Sequence, residues 1–314
     1  MPPRKIIIKK PAIENIMIDK KMDLEIDIPK PCILAKRNAH PRDANISFEE
    51  EGHIYTVLGE RGTYTSVTTW VHEQFPHFDS NLIIDNILKS PKRDDPKYKY
   101  YGKTREDIEA EWEVNRVAAS SAGTKMHFDI ECFYNSGEPT VPPDTPSLSD
   151  SERIIYNNLW NIDNKKIKND SIEFKYFEKF VADFPWLEAY RAEWTVYHEE
   201  LKVSGSIDMV FRDSRDGKFY IYDWKRSKEI KFDDCFCDYA LSPALSGVPN
   251  LNFWHYSLQL GIYKAILEEK YGLQIAGMFL VVLHPEHDGY MRIETADMSE
   301  NINDLFEERK KMVK

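Results

Sequence analysis

The sequence lacks several features that would assign it to a common class. Its longest apolar stretches, such as Met278 to Leu283, fall far short of the ~20 residues a membrane-spanning helix needs. The Ile6-Ile7-Ile8 run is broken by lysines before it reaches the length of a signal-peptide core. No membrane partner is therefore expected, and the chain is read as intracellular and soluble. Cysteine is scarce: Cys32, Cys132, Cys235 and Cys237 are too scattered for a disulfide framework, and Cys235 and Cys237 stand one residue too close for CxxC spacing. Free thiols in a reducing compartment are expected. A basic excess is missing too. The formal net charge of −11 argues weakly against a nucleic-acid partner, because phosphate binders are usually basic. Internal repeats and long low-complexity tracts are also absent, so nothing marks a second folded domain.

What is present begins with 42% apolar residues in 314, enough for one large soluble core. The average charge conceals basic segments. Residues 1 to 40 hold nine Lys or Arg against five acidic residues, and Lys89 to Arg105 hold seven against two. Residues 1–44 mix lysines, prolines and isolated isoleucines without a sustained period, and are read as a mobile or loosely docked basic arm before a domain at 45–314. Alternation from Ile46 to Val57, with His53, Tyr55 and Val57 in step, predicts a strand. Gly59 to Gly62 predicts a turn into a partner strand around Tyr64, and Ser66 or Thr68 caps a helix through Trp70 and Val71. Asp107 to Tyr134 predicts two consecutive helices or one kinked at Gly123-Thr124. Pro139 to Ser149 reads as a loop, Asp150 or Ser151 as the start of a helix through Trp160, and Ala192 to Tyr197 as a strand.

The most informative stretch is Val203 to Lys225, VSGSIDMVFRDSRDGKFYIYDWK. Ile207, Met209 and Phe211 are expected on one face of a strand and Asp208 on the other. Arg215-Asp216-Gly217 marks a tight turn, and Lys218 to Lys225 returns. Folding about that turn brings Asp208 opposite or nearly opposite Asp223, with Lys225 on the same face. Two carboxylates so held repel each other, and a proton or a divalent cation relieves the repulsion. Oxygen ligands suit Mg²⁺ or Mn²⁺, which can activate a phosphodiester toward water, with Lys225 offsetting charge. The other reading of the same residues is a surface hairpin with an ordinary Asp–Lys ion pair.

This hairpin resembles the signature of the PD-(D/E)XK nuclease superfamily: a glycine, Asp208, then Asp223-Trp224-Lys225, with Ile207 in place of the signature proline. Two further elements resemble its RecB-like, Cas4-like exonuclease branch, which includes members from large DNA viruses and the mitochondrial genome maintenance exonuclease. Gly123-Thr124-Lys125-Met126-His127 resembles the branch's Gly-Thr, any two residues, His helix, and Gln259 with Tyr263 resembles its Gln, three residues, Tyr helix. The matches span roughly residues 46 to 290 in the branch's order. The resemblance implies an α/β restriction-endonuclease-like core, a central mixed sheet flanked by helices. It implies a metal-dependent DNA nuclease, an exonuclease on ends or single strands with room for endonuclease action, leaving 5′-phosphates in repair, recombination or foreign-DNA degradation.

By the same resemblance Asp208, Asp223 and Lys225 are catalytic, and His127, Asp208, Asp223 and the carbonyl of Trp224 hold Mg²⁺ or Mn²⁺. Outside this context, His127 on an apolar helix would read as core. Glu131 is expected to support the site, with a helix-surface position or a contact to His127 as the alternatives, and Glu193 to support the site or be a solvated strand carboxylate. Gln259 and Tyr263 are expected to support the site or touch the DNA backbone, with Leu258, Ile262 and Ile266 packing opposite. Lys97, Tyr98, Lys99, Tyr100, Lys103 and Arg105 are expected to bind DNA, cations for phosphates and rings for bases, against the alternative of a solvated loop. No iron–sulfur cluster is expected, since the downstream cysteine triplet of cluster-bearing relatives is missing. The resemblance admits a homo-oligomer, a helicase partner, and a virus-encoded chain acting in the host cytoplasm. The rivals are a catalytically inactive DNA-binding scaffold of the same fold and an RNA-directed phosphodiesterase.

Overall fold

A computed structural model describes residues 33–136 and 169–313, with the backbone of the short strand pieces 4–6, 26–28, 160–161 and 166–167. The described chain opens with α1 (Ile33–Arg37) and a 3-10 turn at Pro41–Asn45, then the hairpin β1 (Ile46–Glu49) and β2 (Ile54–Val57) with β3 (Glu60–Arg61) added to it. After β4 (Thr65–Ser66) come the helices α2 (Val67–Glu73), α3 (Ser80–Lys89) and α4 (Arg105–Ser136). The second half runs α5 (Ile172–Asp183), β5 (Leu187–His198), β6 (Val203–Asp213), β7 (Phe219–Lys225), α6 (Asn252–Lys270), β8 (Ile275–Val282), β9 (Met291–Glu294) and α7 (Ser299–Met312). Among the described residues no helix is long and apolar enough to cross a membrane.

The central sheet is mixed. β9, β8, β7 and β6 lie in that order, with β7 and β8 parallel and the other neighbours antiparallel. β5 occupies one edge of β6 from Val203 opposite His198 to Asp213 opposite Leu187. The other edge of β6 is divided: β4 pairs in parallel with Val203 and Ser204, and β7 pairs antiparallel from Met209 to Arg212. Along Gly205 to Asp208 that edge of β6 therefore makes no ladder pair with either β4 or β7, which leaves a notch there. Gly217, at φ +73°, supplies the turn conformation that returns β7.

Helices cover both faces of the sheet. On one, Trp70 and Val71 of α2, Leu258, Ile262 and Ile266 of α6, and Ile302 and Phe306 of α7 pack with Val210, Ile221 and Leu280. On the other, Met126, Phe128 and Ile130 of α4 and Phe174, Phe177 and Phe180 of α5 pack with Met209, Phe211, Tyr222 and Trp224. Each fully buried aliphatic or aromatic side chain is worth about 1.5–3 kcal/mol relative to exposure, so these two layers hold the strands that carry the site. Leu258, Ile262 and Ile266 are all fully buried, as their spacing predicts.

Several expectations are corrected. Ile46 to Val57 is a hairpin, not one strand, and His53 sits in its turn at φ +53°. The strand following Tyr64 leaves that hairpin to pair with β6, which pulls Ser66 into position to cap α2 by accepting the Thr69 N–H. Of the two readings for Asp107 to Tyr134 the pair of helices is corrected, since α4 is a single helix through Gly123-Thr124; the buried Met126, Phe128, Ile130 and Cys132 offset the ~1 kcal/mol a helical glycine costs. Ile207 joins the first core while Met209 and Phe211 join the second, so simple alternation fails at Asp208. From Ile33 onward the segment read as part of the arm is fastened to the sheet: Arg42 pairs with Glu199 at 2.7 Å, and Asp43 accepts from Arg191 and from the Trp194 indole. The expected Pro139 to Ser149 loop and the helix from Asp150 lie outside the described residues, except that Trp160 falls in a two-residue strand.

Candidate metal centre and active site

The β6–β7 register places Met209 opposite Tyr222, and one further step puts Asp208 opposite Asp223. On the other edge, Ile207 faces Trp194 and Met209 faces Ala192, so Asp208 also stands across from Glu193. Three carboxylates thus form a row over three adjacent strands. Glu193 has φ +45°, a left-handed conformation uncommon for a residue with a side chain, and the β5–β6 ladder skips that pair. Strain at such a position persists only where its surroundings over-determine it.

At the notch, Asp208 Oδ2 accepts the backbone N–H of Trp224 at 2.9 Å, joining the two strands where their ladder ends. His127, from the C-terminal half of α4, brings Nδ1 to 3.5 Å from Asp208 Oδ2 and 3.7 Å from Glu193 Oε1. Ser206 Oγ donates to the other Glu193 oxygen at 3.1 Å. One ligating atom each from His127, Glu193 and Asp208 lie within 4.8 Å of one another. Asp223 stands outside that group: Lys225 Nζ is 2.6 Å from its Oδ2. The two groups form a close, largely buried ion pair at the edge of the cluster.

The electrostatics report crowding. Burial and the neighbouring Asp223 push Asp208 far above the ordinary carboxylate range, against the opposing pull of His127. For His127 burial works downward, but Asp208 and Glu193 outweigh it and raise the imidazole to about 9. Lys225 is likewise held above its usual value, since Asp223 and Asp208 outweigh its burial. A divalent cation at that point would neutralise the same carboxylates that raise His127. The Glu193 and Asp208 carboxylates and the His127 imidazole, with Asp223 beside them, are a donor set that fits a divalent cation.

The remaining expected residues divide. Tyr263 is buried, and its hydroxyl lies where a Cβ on Gly205 would come within 2.5 Å, so it packs against the Gly205 end of the notch. Gln259 Nε2 donates to Thr68 Oγ1 at 3.3 Å, tying α6 to α2. Glu131 is buried at 2% exposure, so the helix-surface alternative for it is corrected: it lies on the side of α4 that packs inward. The side chain of Trp224 is buried in the second core, leaving its backbone at the site. In the tyrosine-rich segment Lys99 and Lys103 pair with Glu111, Arg105 pairs with Asp85 and Glu109, and the Trp112 indole donates to Tyr100. Lys97 is exposed, and Tyr98 stacks edge-on against Tyr100. Glu193 entered the sequence reading as a support. Its place in the ligand cluster follows from the β5–β6 register, which no local pattern displays.

The family model of the PD-(D/E)XK nuclease superfamily matches residues 95–313. No curated protein matches the chain. Among solved structures, one titled "Crystal structure of SSO0001" aligns at 15% identity over 52% of this chain and 66% of that one, with a TM-score of 0.23. The family match covers well over half of the sequence and contains the hairpin, His127 and α6, and the chain therefore belongs to the PD-(D/E)XK nuclease superfamily, whose members are metal-dependent nucleases.

Proposed function

We propose that the protein is a Mg²⁺- or Mn²⁺-dependent deoxyribonuclease that works as an exonuclease on DNA ends or single strands. The observation that carries this reading is the row Glu193, Asp208 and Asp223 across three strands, with His127 and Lys225 at its two ends. Asp208, Asp223, Glu193 and His127, with the carbonyl of Trp224, would hold the ion. A bound Mg²⁺ or Mn²⁺ supplies Lewis acidity toward a phosphodiester oxygen. Lys225 orients the attacking water by hydrogen bonding and offsets the negative charge that grows on the phosphoryl oxygens. Water adds to phosphorus, the bond to the 3′ oxygen breaks, and a 5′-phosphate and a 3′-hydroxyl result. Gln259 and Tyr263 keep α6 against the notch.

The test uses end-labelled linear, circular, single-stranded and duplex DNA, with matched RNA, in Mg²⁺ or Mn²⁺. Shortening of linear DNA to 5′-phosphorylated products, with circles spared, supports the reading. Cleavage of RNA alone would overturn its DNA assignment, and nicking of circles at the same rate would overturn its preference for ends.

A further inference from the structure

Lys225 is held from two sides. Its Nζ lies 2.6 Å from Asp223 Oδ2 and 4.6 Å from the centroid of the Tyr256 ring. Asp223 is two residues away on the same strand, whereas Tyr256 arrives from α6, where it packs against the first core. A lysine ammonium sits at the end of four rotatable methylenes, and it is strongly hydrated, so a buried one must be fixed by its surroundings. An aromatic face attracts the cation through the ring quadrupole without occupying any of its three N–H donors. Burial raises the Tyr256 hydroxyl above its ordinary value, so the ring stays neutral where the enzyme works.

We propose that Tyr256 is a positioning residue that seats the Lys225 ammonium on its ring face. When Asp223 is committed to a metal ion, the ring retains the ammonium beside Asp208 and Asp223 with its donors free. The catalytic part of this inference rests on the role given to Lys225 above. It makes the ring face the working feature and the hydroxyl dispensable.

The experiment follows the Lys225 side-chain methylene signals by NMR in the full chain carrying ¹³C-labelled lysine, assigned by their loss in Lys225→Met. Protons above an aromatic face are shifted upfield. That shift should persist in Tyr256→Phe and vanish in Tyr256→Leu, without metal or substrate present. In turnover, Tyr256→Phe should keep kcat, while Tyr256→Leu should lose about tenfold in kcat with KM and metal affinity unchanged. Should Tyr256→Leu fail to fold, site-specific fluorinated phenylalanines at position 256 replace it, since fluorine weakens the quadrupole with little change of shape. The kcat should then fall stepwise with fluorination. An upfield shift that survives in Tyr256→Leu, equal losses in Tyr256→Phe and Tyr256→Leu, or indifference to fluorination would overturn the proposal. A wild-type chain that cuts no nucleic acid would sink the reading of Lys225, while the spectral result still decides where the ammonium sits.

Discussion

Asp208 stands between Glu193 and Asp223, with His127 closing the gap toward Glu193. With no cation bound, the fold must keep protons that the unfolded chain would release. His127 has a folded value of about 9 against an ordinary 6.5, so its stabilising contribution is complete below about pH 6.5 and lost as pH rises through about 9. Asp208, whose carboxyl is also raised, acts in the same sense at lower pH, because the native state again binds the extra proton. In EDTA the Tm should fall as pH rises from 6 to 9, and His127→Gln should flatten that slope. Saturating Mn²⁺ should raise Tm more at pH 8.5 than at pH 6, because the ion competes with fewer protons. Thermal scans with and without EDTA check both statements. An unchanged slope in His127→Gln would show that His127 is an ordinary core histidine.

At the scale of elements, the notch along Gly205 to Asp208 decides where the site opens. Gly205 is required there because an added Cβ would meet Tyr263 Oη at 2.5 Å and Cε1 at 2.8 Å. Gly205→Ala should therefore cost about 1–3 kcal/mol by overpacking. The double variant Gly205→Ala, Tyr263→Leu should recover part of the overpacking cost relative to Tyr263→Leu alone. Urea melts measure this, and wild-type stability in Gly205→Ala would remove the role given to the contact. Much of this element is legible in the sequence: Arg215-Asp216-Gly217 marks the turn, and counting back from it brings Asp208 opposite or nearly opposite Asp223, with the exact register set by the ladder. The divided edge is not. The two-residue β4 pairs with residues 138 positions further on, and such a pairing leaves no local periodicity. The place of Glu193 is hidden in the sequence for the same reason, since it lies with the partner across β6.

Across the whole molecule, the net charge of −11 makes local basic features decisive for any nucleic-acid partner. The segment from Lys97 to Arg105 shows the limit of reading composition: its cations are visible in sequence, but Glu111 and Asp85 arrive from α4 and α3 to pair with most of them. If this segment guides DNA, those pairs must exchange for phosphates. Glu111→Gln should then tighten single-stranded DNA binding by releasing Lys99 and Lys103. Combined Lys97→Ala and Lys99→Ala should weaken it and reduce the salt slope by about 1 to 2. Fluorescence titrations over a range of salt test the idea, and unchanged binding in both variants would send the strand elsewhere. The same lesson applies to residues 33–45, where Arg42 and Asp43 find partners more than a hundred residues away.

The claim on which the rest depends is that the carboxylate row holds a divalent cation used for cleavage. Its most direct test is calorimetric titration of Mn²⁺ into wild type, Asp223→Asn and Lys225→Met, paired with hydrolysis of the same labelled single-stranded DNA in Mn²⁺ and in excess EDTA. The account predicts metal-dependent cleavage by wild type, loss of both metal binding and cleavage in Asp223→Asn, and metal binding without cleavage in Lys225→Met. Full cleavage in excess EDTA, or Asp223→Asn that binds and cuts like wild type, would contradict it.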